Sequence, residues 1–288
     1  MVAPGQTGLF AFEAGRQPSH SVGWGRRSGA TECIVPAVNR FFDSAYRRLT
    51  KILPPDLAGR IDWLRPSLRG SWGGPLNGQQ RRRDIVRDLA RTMSFERAIE
   101  TGTYRGTSTE FFSAVFGTDV ETVEANPRFF AYSSRRLALL PDVHVVLGDS
   151  RAFLERLAAS PGATKELVFI YLDAHWEGDL PLAQELQIIA RSWTQAVVMI
   201  DDFQVPGDDG YAFDDYGSGR KLTESYLPAG DLDGWQVFYP RAHSSEETGA
   251  KRGCCVLVSP ALFVQASEVA SLRLADPNVG AKVSQPGL

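Results

Sequence analysis

The sequence predicts an α/β fold, a three-layer sandwich whose seven-stranded, mostly parallel sheet ends in an antiparallel strand pair, preceded by an N-terminal helical extension. Two patterns carry that prediction. From Gln79 to Asp201, short apolar runs alternate with helical periodicities, as a parallel sheet covered on both faces requires. Past Asp202, two further apolar runs flank a polar, Gly-containing connection with no helical pattern, which favours antiparallel pairing. Right-handed crossovers then bring the carboxyl ends of the parallel strands to one rim, where ligands of such sheets bind. The chemically informative side chains fall at those ends.

Taken in order, residues 1–31 are rich in Gly, Ser, Pro and Arg and read as a flexible leader. Residues 32–78 read as a helical and loop extension. Val38, Phe41, Phe42, Tyr46 and Leu49 recur at helical spacing over Val35–Leu53, and Pro54–Pro55 end that helix. Gly70–Gly78 is a linker or a loop over the site. The main domain spans 79–260, opening with an amphipathic helix from Gln79 to Thr92. Strands follow at Arg97–Thr101, Val120–Glu124, Val143–Leu147, Leu167–Asp173 and Ala196–Asp201. Helices lie between them at Thr107–Phe116, Pro127–Leu139, Ser150–Ala159 and Leu180–Ser192. A helix is expected over Gly219–Tyr226, strands over Trp235–Tyr239 and Gly253–Ser259, and a tail over 261–288.

Composition narrows the function classes. The chain has 288 residues, 43% hydrophobic and 23% charged, which supports a sizeable core. A net charge of −3 argues against a nucleic-acid partner, although Arg crowds residues 40–97 and Asp crowds 201–233. Arg81-Arg82-Arg83 reads as a solvated helix face. Cys33, Cys254 and Cys255 offer neither a disulfide framework nor a metal spacing, and fit buried, reduced thiols. No apolar run approaches the roughly 18–20 residues that span a bilayer. These features predict a soluble cytoplasmic protein with no membrane partner; homo-oligomerisation is left open.

The segment from Glu100 to Ser108 follows a strand and opens a helix. Gly102 permits a sharp turn and close ligand approach, and Gly106 lets the next helix start near the sheet. Glu124 ends the neighbouring strand about 20 residues on, where an acid can accept both ribose hydroxyl hydrogens. The loop lacks full GxGxxG spacing, so it has fewer amides for a pyrophosphate and better suits an adenosyl group carrying a methionine tail. Glu100–Ser108 resembles the first motif of the catechol O-methyltransferase-type enzymes, within the Rossmann-like class I S-adenosylmethionine-dependent methyltransferases. Val123–Pro127 is similar to their second motif, and Leu147–Ser150 falls where that family lines the adenine pocket. The similarity runs from about Gln79 to about Ser259. It implies S-adenosylmethionine as cofactor, with Glu100, Gly102, Glu124, Asp149 and Ser150 as its contacts; Tyr104, Gly106, Ser108, Asp173 and His175 complete the expected cofactor-binding set.

Two more strands end in acids, at Asp173 and at Asp201-Asp202. A lone Asp after a strand is often a cap or turn residue. Three converging carboxylates, however, raise one another's pKa until a cation offsets the repulsion. All-oxygen ligands suit Mg²⁺, Mn²⁺ or Ca²⁺, with Mg²⁺ foremost. The resemblance implies the same metal set, Asp173, Asp201 and Asp202, with Asp202 standing where the family commonly has an amide. The metal would orient and acidify a substrate hydroxyl, with Asp173 and His175 as catalytic candidates. Three readings of His175 stand open: general base, packing against the cofactor, or a structural histidine. The family's lysine base does not transfer, because Ala174 is an extra residue and Glu177 follows Trp176.

Phe203, Tyr211, Phe213 and Tyr216 could wall a substrate pocket or lie in a surface loop. His243 reads as a solvated loop residue, and Trp72, Asn77 and Gln79 as a cover or an ordinary turn. The function these features predict is methyl transfer to a hydroxyl on a small molecule, a sugar or a natural-product intermediate. The alternatives are hydroxyl or phosphate-ester chemistry on the same fold, or a non-catalytic cofactor-binding protein.

Overall fold

The computed structural model describes residues 46, 48, 50–175, 179–217 and 219–276. Contacts divide the chain into Met1–Tyr46 and Arg47–Leu288, and the described residues fall almost wholly in the second unit. The expected leader, most of the Val35–Leu53 helix, Cys33, Trp176, Glu177 and the end of the tail lie outside the described residues. Residues 48 and 50–52 are helical.

The sheet holds the expected strands: β1 (Arg97–Thr101), β2 (Asp119–Glu124), β3 (Val143–Leu147), β4 (Val168–Leu172), β5 (Ala196–Asp201), β6 (Gln236–Pro240) and β7 (Cys254–Val258). An eighth, β8 (Leu272–Leu274), extends it within the segment read as tail, giving the order β3-β2-β1-β4-β5-β7-β6-β8. Pairing is parallel from β3 to β5 and antiparallel from β5 through β7 and β6 to β8. This is the Rossmann-like sandwich with an antiparallel end.

Six helices of nine residues or more and one short one accompany the sheet among the described residues: α1 (Pro55–Trp63), α2 (Gln80–Thr92), α3 (Thr107–Phe116), α4 (Pro127–Leu137), α5 (Ser150–Ala158), α6 (Leu182–Ser192) and α7 (Phe263–Ser267). The period-two alternation of the strands sends neighbouring side chains to opposite faces and builds two cores. One joins Ile170, Leu172, Val198, Ile200 and Cys255 to α5 and α6; the other joins Phe169, Tyr171, Val197, Met199 and Cys254 to α2 and α3. Cys254 and Cys255 thus serve different cores, both as free buried thiols. Among the described residues no helix is long and apolar enough to cross a membrane.

Helix α1 lies along α4, where a Cβ at Gly59 would fall 2.0 Å from the Arg128 carbonyl oxygen. The buried Asp62 pairs with Arg128 at 2.7 Å at the same junction. The Gly219–Tyr226 helix is replaced by a tight hairpin and a single 3₁₀ turn, Glu224–Tyr226. Tyr216 N–H donates to Arg220 O and Leu222 N–H to Asp214 O, while Gly217 and Gly219 take positive φ. Those left-handed residues close the turn and leave no run of helical backbone.

Candidate cofactor and metal site

Adjacent strand ends set out the rim in the order β2, β1, β4, β5, hence Glu124, Gly102, Asp173 and Asp202 in a row. Gly102 holds φ +89°, and a Cβ there would sit 2.3 Å from the Asp173 carbonyl oxygen. The glycine therefore answers first to the passage of the loop over the end of β4. Gly106 is the left-handed N-cap of α3 at φ +72°. Tyr104 also has positive φ, 47°, and its N–H donates to Glu124 Oε2 at 2.7 Å. Asn126 N–H donates to Glu124 Oε1 at 2.8 Å. Glu124 is thus fixed by one amide from each side of the cleft. Burial raises its carboxyl above the ordinary value, against the pull of those amides.

Glu100 is buried. It is 1% exposed and accepts from Thr109 and, at 2.7 Å, from Thr122. It supports the rim from below. Ser108 accepts from Leu76 N–H at 3.1 Å, which ties the Gly70–Gly78 segment to the start of α3. Asp149 caps α5, accepting from Arg151 N–H at 2.9 Å, and its carboxylate pairs with the Arg151 guanidinium, which holds it below the usual range. Ser150 is buried beside it.

Burial pushes Glu100 up to about 7, and likewise Glu185 of α6, which lies near the Ser150 and Thr101 hydroxyls. Both folded values lie above the unfolded ones, so their stabilising contribution is complete below about pH 4.5 and lost as pH rises through about 7. Urea denaturation of Glu185→Gln beside wild type checks this. Between pH 5 and pH 8 the variant should gain on wild type by up to about 3 kcal/mol; parallel pH profiles would contradict it.

The acids after β4 and β5 divide into two groups. Asp201 is fully buried and satisfied. Its Oδ1 pairs with Arg82 and accepts from Asp202 N–H at 2.7 Å, and its Oδ2 accepts from the Tyr171 hydroxyl at 2.6 Å and Asn77 at 3.3 Å. With four donors in place no lone pair remains for a cation, which corrects the expectation of Asp201 as a metal ligand. Arg82 is likewise no part of a solvated face: it is 1% exposed and also donates to the Arg252 and Gly253 carbonyls. Asn77 and Gln79 act as a strap, the latter exchanging hydrogen bonds with the Arg252 backbone at 2.9 and 2.6 Å.

Asp202, by contrast, turns off β5 with φ +53°, a conformation that Asp tolerates better than most residues. The turn is pinned by Asp214 N–H donating to Asp202 O at 2.9 Å. Asp173, His175 and Asp202 then offer ligand atoms all within 4.8 Å of one another. Asp214 closes the group, accepting from the Tyr216 hydroxyl at 2.7 Å. Arg252 pairs with Asp202 at 2.7 Å and with Asp214.

Desolvation, then the charges of Asp202 and Glu100, push the Asp173 carboxyl well above its usual range, tempered by the 36% of its side chain open to solvent. Burial lowers the pKa of His175, against the opposing effect of Asp202 and Asp214, which favours the uncharged imidazole. The donor set fits a divalent cation: two carboxylates and an imidazole nitrogen converge with no internal hydrogen bond to satisfy the nitrogen.

No protein-family model matches the sequence, and no curated protein matches it. Among solved structures the chain is similar to the O-methyltransferase from Bacillus cereus in complex with SAH, at 15% identity and TM-score 0.48, over 75% of this chain and 97% of that one. It is similar to cofactor-bound Rv0187 from MTB at 19% identity and TM-score 0.46, over 80% and 99% of the two chains. A third likeness is to the O-methyltransferase TomG from Streptomyces achromogenes in complex with SAM, at 14% identity and TM-score 0.43, over 62% and 79%.

The remaining candidates sort by burial. Phe203 and Tyr211 belong to a core, whereas Tyr216 reaches the site, its hydroxyl 3.3 Å from the His175 carbonyl oxygen. His243 caps a 3₁₀ turn with a side chain 62% exposed. Trp72 is exposed. A surface groove lined by Arg81, Asp84, Arg87 and Arg241 contains none of the strand-end groups. Sequence reading missed Arg82, Asp214 and Arg252 as members of the site. Only Arg82 left a usable signal, because Ile85, Val86 and Leu89 follow it at helical spacing on one face.

Proposed function

We propose that the protein is an S-adenosylmethionine-dependent methyltransferase acting on a hydroxyl of a small molecule, with a divalent cation beside the acceptor. One observation carries this reading. An acid anchored by loop amides ends β2, an acid-and-imidazole cluster ends β4 and β5, and the Gly102 turn runs between them. Two strand spacings separate β2 from β4, about 10 Å, room for a ribose at one and a reacting methyl at the other.

In this reading Glu124 keeps free lone pairs for ribose hydroxyls, since its two amide bonds use one on each oxygen. The Gly102–Gly106 backbone lines the passage of the methionine portion. A cation at the cluster would supply Lewis acidity that lowers the pKa of the acceptor hydroxyl. Asp173 and Asp202 would hold it, and Arg252 fixes the Asp202 carboxylate.

Glu124→Gln tests the cofactor half. Losing charged hydrogen bonds costs about 1.5–3 kcal/mol, so calorimetric affinity for S-adenosylmethionine should fall roughly ten- to hundred-fold. Transfer of a labelled methyl group to a panel of hydroxylated acceptors tests the reaction. Wild-type protein that takes up no S-adenosylmethionine at millimolar concentration would remove the proposal.

A further inference from the structure

The sharpest anomaly in the described residues is His175 Nε2. The residue is 5% exposed, yet this nitrogen has no hydrogen-bond partner. Three carboxylate oxygens, Asp173 Oδ1, Asp202 Oδ2 and Asp214 Oδ2, each lie 3.9 Å from it. That is beyond hydrogen-bond range, so the nitrogen is aimed into the carboxylates without bonding to any of them. It is also less than twice the ~2.1 Å reach of an imidazole or carboxylate ligand, so one ion can touch both.

We propose that His175 Nε2 is itself a metal ligand, together with Asp173 and Asp202 and without Asp201, and that the site takes a first-row transition-metal ion in preference to Mg²⁺. The inference rests on the reading that this cluster holds a cation, and adds which atoms bind it and which metal they favour. An imidazole nitrogen suits Fe²⁺, Ni²⁺, Cu²⁺ or Zn²⁺, whereas Mg²⁺ selects oxygen; Mn²⁺, at the weak end of the first-row series, takes a mixed nitrogen and oxygen set and serves as the spectroscopic probe.

Charge and orientation agree. Asp173 and Asp202 balance a dication between them. Asp201 is neutralised by Arg82, and Asp214 is held by Arg252. Asp202 presents Oδ1 to Arg252 and Oδ2 to the nitrogen, so one carboxylate joins the ion to its supporting shell. The Tyr216 hydroxyl donates to Asp214 at 2.7 Å and lies 3.3 Å from the His175 carbonyl oxygen, which places the ring beside the histidine backbone. A nitrogen bound to metal has no lone pair to take a proton, which removes His175 from the general-base role.

The test uses Mn²⁺ on the full-length, tag-free chain. A spin-resonance titration gives affinity and stoichiometry, and pulsed measurements detect nitrogen coupling to the bound ion. The expected result is one tight Mn²⁺ per chain with imidazole nitrogen coupling. In His175→Gln that coupling disappears and Mn²⁺ affinity falls at least about ten-fold, while Mg²⁺ affinity changes less. Asp201→Asn keeps the coupling.

Tight Mn²⁺ without nitrogen coupling overturns the histidine ligand and leaves the cation reading standing. Absence of any stoichiometric Mn²⁺ overturns both. Coupling that survives in His175→Gln assigns the nitrogen to another histidine and overturns the proposal. Loss of Mn²⁺ from an Asp201→Asn chain with a wild-type circular dichroism spectrum overturns the ligand set.

Discussion

Arg82→Met should lower the free energy of unfolding by about 3–5 kcal/mol, because it leaves the Asp201 carboxylate buried without its counter-charge. Arg82 is 1% exposed, and its guanidinium answers Asp201 and the carbonyls of Arg252 and Gly253 together. Tyr171 and Asn77 would still donate to Asp201, but neither carries charge. In a domain of this size each kcal/mol moves the melting temperature by about 2–4 °C, so a loss of roughly 6–20 °C is expected. Replacing the pair with apolar residues, Arg82→Met with Asp201→Leu, should recover part of that loss, since a buried pair often contributes little net stability. Urea denaturation of the two variants checks the argument. A single variant within about 1 kcal/mol of wild type would show that Arg82 is not the counter-charge on which buried Asp201 depends.

The same pair shows where sequence reading stops. Strands β1, β3 and β5 and helix α3 begin and end where periodicity places them, because each is bounded by turn residues and carries one unbroken pattern. The rim follows from that order, so Glu124, Asp173 and Asp202 could be assigned to one edge from the sequence. Which carboxylate faces the cleft is another matter. Asp201 and Asp202 are neighbours on the chain, and strand alternation alone sends them to different sides without saying which side holds a partner. The partner is Arg82, 119 residues earlier, and its charge disguises it as surface. The Asp214 hairpin was hidden more completely. Its shape depends on positive φ at Gly217 and Gly219 and on the backbone hydrogen bond from Asp214 to Asp202, none of which leaves a periodic trace.

Asp201 and Asp202 should therefore respond in opposite ways to the same isosteric change. On the proposed ligand set, Asp202→Asn removes a charge whose oxygen faces His175, so cation affinity should fall by at least about 10–100-fold, the loss seen even for residues outside the ligand shell. Methyl transfer at limiting cation should fall by a similar factor and recover as the cation is raised, with S-adenosylmethionine affinity at Glu124 little changed. Asp201→Asn withdraws negative charge from Arg82 instead, and should cost stability with cation affinity held within a few-fold. The amide keeps one oxygen for the Asp202 N–H or the Tyr171 hydroxyl but brings an N–H₂ donor toward the other, so a donor-to-donor clash adds to the lost ion pair. Calorimetric cation titration and urea denaturation on both variants separate the two roles. Should Asp201→Asn abolish cation binding while Asp202→Asn leaves it intact, the ligands would be those expected from adjacency in the sequence, and the turn at Asp202 would need another reason to hold its positive φ.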